Sequence, residues 1–147
     1  MFSIILSACV LAYLTVAIHA TGIALLLRTF MRLRALPTSI LRIAVMLLRM
    51  VWWLVLLHMT EIFVWALFYL WRGLVTDTET AFYFSGVTYT TIGYGDVLLP
   101  KPWRLLGPIE GLMGILMCSL STGYFFLIGS RIYQSLPKKA AGASSSE

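Results

Sequence analysis

The chain has 147 residues, of which 60% are hydrophobic and only 12% charged, and its mean hydropathy is +0.89. Such a composition excludes an ordinary soluble domain and points to an integral membrane protein. The 11 basic and 6 acidic residues leave a net charge of +5, but the basic residues gather at the ends of apolar runs, where they orient a membrane protein and do not read as a nucleic-acid surface.

Residues 2–27 are apolar apart from scattered Ser, Thr and His19, and the run ends at Arg28, Arg32 and Arg34. With no basic residue before it and too many apolar residues for a secretion core, it reads as a spanning helix and not as a cleaved signal. A second helix over residues 38–73 would extend roughly 54 Å at 1.5 Å per residue, against a hydrocarbon core of about 30 Å. Its first part, with Arg42 and Arg49 on one face, therefore reads as a cytoplasmic or interfacial extension. Two arginines among apolar neighbours do not make a voltage sensor.

Thr76 or Asp77 can cap a short helix that runs to Tyr89, with acidic residues in its first turn. The negative C-terminal end of that helix would favour a cation near the membrane centre. The last span runs from Trp103 to Tyr133 and carries Gly107, Gly111, Gly114, Gly123 and Gly129. Gly114 is a candidate hinge for gating, with close helix packing as the equal alternative.

Between the short helix and the last span lie Thr90, Thr91, Ile92, Gly93, Tyr94, Gly95 and Asp96. This TTIGYGD run resembles the selectivity filter of potassium channels, and residues 45–133 are similar to the two-helix pore module of the tetrameric members. The chemistry of the motif is that of a dehydrated cation needing a cage of backbone oxygens, which glycines at positive φ help to align. The resemblance implies an all-α membrane protein with three transmembrane helices, a pore helix and a re-entrant selectivity-filter loop in a fourfold assembly. K+ would be held by the carbonyls of Thr91, Ile92, Gly93, Tyr94 and Gly95 and by the Thr91 hydroxyl. Ile92 and Tyr94 would pack behind the filter, with Tyr83, Val87, Thr90 and Asp96 supporting it and forming its mouth. Val87 stands where some members carry a glutamate, and Tyr83, where many have tryptophan, could instead hydrogen-bond Asp96. Ile115, Cys118, Thr122 and Phe126 are candidates to face the cavity, with Phe126 as a hydrophobic gate.

Four ionisable residues fall inside apolar segments: His19, His58, Glu61 and Glu110. Each needs a polar partner, because a charge at the bilayer centre costs about 2.5–3.5 kcal/mol on insertion scales. His58 and Glu61 share a helix face and read either as a proton sensor or as an interhelical hydrogen bond. Cys9 and Cys118 both lie in spans without metal-ligand spacing and read as packing residues, not a disulfide.

Arg28, Arg32, Arg34, Arg42, Arg49, Arg131, Lys138 and Lys139 fall on one side, against Arg72, Lys101 and Arg104 on the other. The richer side is expected to be cytoplasmic, with the N-terminus outside and the C-terminus inside a multi-pass cell-membrane protein. The chain divides into an N-terminal helix and basic loop (1–36), a pore module (37–136) and a disordered tail with the composition of a cloning scar (137–147). The expected function is passive, potassium-selective conduction by a homotetramer surrounded by membrane lipids. No enzyme activity, cofactor, nucleic acid or small-molecule substrate is expected beyond the permeant K+ ions. A non-conducting modulatory subunit and a K+ transporter subunit are the alternatives.

Overall fold

The computed structural model describes residues 1–32 and 39–135. The basic loop around Arg34 and the tail with Lys138 and Lys139 lie outside the described residues. Four helices follow one another: α1 (Phe2–Met31), α2 (Ile40–Trp71), α3 (Thr78–Tyr89) and α4 (Leu106–Ser135), the last entered through a single 3-10 turn at Trp103–Leu105. No strand occurs among the described residues. α1, α2 and the segment Trp103–Gln134 are each long and apolar enough to cross a membrane, so the protein is an all-α membrane protein with three candidate spans and a short fourth helix.

Local chemistry sets the helix ends. α2 stops because Gly73 takes φ +61, which lets its N–H bond to Leu70 and the Leu74 N–H bond to Tyr69. This pair of bonds closes the last turn as a Schellman motif. α3 starts at Asp77, whose side chain accepts from the Thr80 backbone N–H at 2.9 Å and satisfies one of the orphan donors of the first turn. Glu79 adds a negative charge there, where the helix dipole favours it.

α1 packs against both α2 and α4, while α3 is held between α2 and α4. Two apolar cores result. One joins Ile4, Ala8 and Leu11 of α1 to Trp65, Tyr69, Phe84 and Leu106. The other, toward the opposite end, joins Phe30 to Met50, Leu54, Tyr124 and Ile128. Polar side chains bridge the helices between them, and the Trp65 indole N–H donates to Thr15 Oγ1 at 2.9 Å with both residues fully buried.

Thr15→Val keeps the side-chain shape and strands that indole N–H in the apolar core. A loss of about 1–3 kcal/mol, the usual cost of an unsatisfied buried donor, is expected in reversible unfolding of the purified protein.

Candidate functional site

The C-terminus of α3 runs directly into the glycine-containing loop. Thr90 closes the helix with its N–H on Gly86 O at 3.1 Å and its hydroxyl on the same carbonyl at 2.7 Å. The chain then reverses, with Thr91 N–H bonded to Thr88 O at 2.9 Å and Gly93 N–H to Val87 O at 3.0 Å. Positive φ recurs at every second residue: +63 at Thr91, +52 at Gly93 and +79 at Gly95. Two of these three are the glycines singled out from sequence. Thr91 is the surprise, since a β-branched residue in the left-handed region is strained.

Ile92 and Tyr94, expected to pack behind the loop, are instead 55% and 70% exposed. Asp96 is positioned as anticipated from Tyr83: the Tyr83 hydroxyl donates to Asp96 Oδ2 at 2.6 Å. That bond holds the Asp96 carboxyl below its ordinary value and raises the Tyr83 phenol above its own. The Asp77 carboxyl is likewise lowered, first by its bond from the Thr80 backbone.

α4 presses closely on this segment. A Cβ at Gly114 would lie 1.9 Å from the Tyr89 carbonyl oxygen, and one at Gly111 would lie 3.3 Å from Thr88 O. Gly114 is therefore a packing glycine, and α4 runs unbroken through it. A cavity of about 310 Å³ opens between the foot of the loop and α4, bounded in part by Thr90, Thr91, Gly114, Cys118 and Thr122. Ile115 belongs to the same wall. Phe126 lies one turn beyond, 78% exposed and not part of that wall. Cys9 and Cys118 are free thiols exposed on the chain, and no disulfide joins them.

Two buried carboxylates anchor α3. Glu110 accepts from the Tyr69 hydroxyl at 2.6 Å and from the Ser85 hydroxyl, joining α4, α2 and α3. Glu61 accepts from the Tyr89 hydroxyl and lies 2.8 Å from His19 Nδ1. His58 Nδ1 meets the Tyr89 hydroxyl at 2.9 Å, and its Nε2 meets Ser121 Oγ at 3.1 Å. Interhelical hydrogen bonding, one of the two readings of His58 and Glu61, is thus the geometry found. Its extent was not visible in the sequence: His19, Tyr89 and Ser121 join it, and Tyr69 and Ser85 serve Glu110. The available signal was that Ser85 and Ser121 are polar residues inside helices that otherwise bury apolar side chains.

A family model described as an ion channel matches residues 55–130, just over half of the 147-residue chain. No curated protein and no solved structure matches the chain.

Tyr83→Phe removes the donor that favours the Asp96 anion, so the Asp96 pKa should rise toward the ordinary aspartate value of about 3.9. The wild-type bond depresses the folded pKa, so its contribution to the fold is present above the unfolded value and is lost as pH falls through the folded one. Carboxyl carbon NMR titration of both proteins checks the shift, and unchanged Asp96 titration would remove the assigned cause.

Proposed function

The chain belongs to this ion-channel family, and on that premise we propose that it conducts potassium selectively and passively as a homotetramer. The observation that carries the reading is the alternation of positive φ at Thr91, Gly93 and Gly95 within TTIGYGD. Alternating backbone handedness is the device by which successive carbonyls of an L-chain can face one axis, and a column of such carbonyls replaces the hydration shell of K+. In this reading the carbonyls of Thr91, Ile92, Gly93, Tyr94 and Gly95 and the Thr91 hydroxyl hold the ions. Val87 braces the loop through its bond from Gly93, and the Tyr83–Asp96 bond holds the mouth.

One chain contributes one loop, and a ring of oxygens around an ion needs several. The exposure of Ile92, Tyr94, Ile115 and Phe126 supports assembly, because large apolar side chains around a filter and an inner helix call for neighbouring copies. Fourfold symmetry then places Thr91, Cys118 and Thr122 around a shared cavity, with Phe126 as a hydrophobic constriction below it. The distribution of arginines supports a cytoplasmic C-terminus and an external N-terminus, which sets Asp77, Glu79 and Asp96 at the external entrance, where they concentrate cations. Lipid surrounds the assembly, and no cofactor is required.

Reconstitution of the purified chain in a planar bilayer, with K+ on one side and Na+ on the other, tests the proposal. The expected reversal potential lies near the K+ equilibrium value; current that reverses near zero would overturn selectivity, and an inert bilayer would overturn conduction by this chain alone. Phe126→Ala should raise resting open probability in single-channel records, and an unchanged value would exclude Phe126 as the constriction.

A further inference from the structure

The side chains of His19, His58 and Glu61 converge although they come from two different helices. One ligand atom from each lies within 4.8 Å of the others. His19 Nδ1 is 2.8 Å from Glu61 Oε1 and His58 Nδ1 is 3.6 Å from Glu61 Oε2, with His19 and Glu61 fully buried and His58 17% exposed. Tetrahedral zinc with bonds of about 2.0–2.2 Å holds its ligand atoms about 3.4 Å apart, so the observed spacings straddle that value and small side-chain rotations suffice.

The opposite edges of the two rings are also organised. His58 Nε2 and His19 Nε2 both meet the single oxygen of Ser121, at 3.1 and 3.3 Å. A hydroxyl oxygen can accept from both rings, and when it does, both Nδ1 atoms are left unprotonated, that of His19 beside Glu61 and that of His58 between the Tyr89 oxygen at 2.9 Å and Glu61, so that a bound ion takes the place of the His58–Tyr89 contact. Tyr89 donates to that carboxylate from the other side. Two imidazoles whose second nitrogens are held by an acceptor, together with a hydrogen-bonded carboxylate, make up the outer support that metal-ligating residues require. No Lys or Arg is paired with Glu61 among the described residues.

The geometry points to a binding site for one divalent transition-metal ion per chain, held by His19 Nδ1, His58 Nδ1 and a Glu61 oxygen, with Ser121 and Tyr89 as its outer support. The nitrogen-rich donor set suits zinc, cobalt or nickel and disfavours Mg2+ and Ca2+, which prefer all-oxygen cages. Tyr89 also lines the cavity at the foot of the loop, so the site lies directly behind one wall of that cavity. A bound ion ties α1 to α2 beside the C-terminus of α3.

Binding is read without current and independently of potassium selectivity. Tag-free protein in nanodiscs is titrated with Co2+ and followed by visible absorption. The expected result is intense bands of low-symmetry coordination at one ion per chain, displaced by Zn2+ and not by Mg2+ or Ca2+. His58→Gln and Glu61→Gln should abolish the bands, and Ser121→Ala should weaken binding about 10–100-fold, whereas Cys9→Ser combined with Cys118→Ser should leave it intact. Because a ligand variant can fail to fold, X-ray absorption of Zn2+-loaded wild type supplies the second measurement. Imidazole scattering with nitrogen and oxygen neighbours supports the site; sulfur neighbours, or cobalt that keeps the spectrum of the hydrated ion, overturn it.

Discussion

The arrangement of this bundle depends on two carboxylates held where there is little water to solvate them. Glu61 and Glu110 are both fully buried, and each carboxyl group is tolerable only with hydrogen-bond partners in place, because an unsatisfied buried polar group costs about 1–3 kcal/mol. The donors come from different helices, Tyr69 and Ser85 for Glu110 and Tyr89 for Glu61, with His19 Nδ1 of a further helix 2.8 Å from Glu61. Apolar contacts alone would let α3 slide or rotate at small cost, since one aliphatic surface resembles another. Hydrogen bonds to a carboxylate have direction, so α3 has one register between α2 and α4. Tyr89 is the last residue of α3 and the loop begins one residue later, so the position of the loop follows from the Glu61 bond.

The N-terminal helix belongs to the same construction. The family match begins at residue 55, leaving all of α1 outside it, yet α1 contributes to both apolar cores. It also supplies His19 to Glu61 and Thr15 to Trp65. Gly22 lets α1 approach α2 closely, since a Cβ there would meet Leu57 at 2.6 Å. α1 therefore acts as a buttress behind α2 and α4. Any change in its position alters the polar layer next to the C-terminus of α3.

Much of this was legible in the sequence where the signal is local. Apolar length marked the spans, Thr76 or Asp77 before an acidic first turn marked the start of α3, and the two glycines of the loop marked positions of positive φ. What escaped depends on rotation about helix axes. α1 and α2 are apolar nearly all the way round, so no stripe shows which face meets which neighbour. For that reason the pairing of His19 with Glu61, 42 residues apart, could not be read. A similar limit applies to Gly114, where a bend and a close contact leave the same trace in sequence.

The glycines of α4 also bear on the strain at Thr91. A left-handed L-residue costs roughly 1–2 kcal/mol, and the Thr91 N–H bond to Thr88 O returns only part of that. α4 fixes the turn from which Thr91 departs: at Gly111 an added Cβ would sit 3.3 Å from Thr88 O and 3.7 Å from Thr91 Cγ2, and at Gly114 it would collide with Tyr89 O. Missing side chains bring the α4 backbone against the last turn of α3 and into contact range of the Thr91 methyl. α4 is one continuous helix from Leu106 to Ser135, so Phe126 and the glycine contacts at Gly111 and Gly114 lie on a single element. The helix that carries Phe126 is thus the one whose glycines hold the foot of the loop.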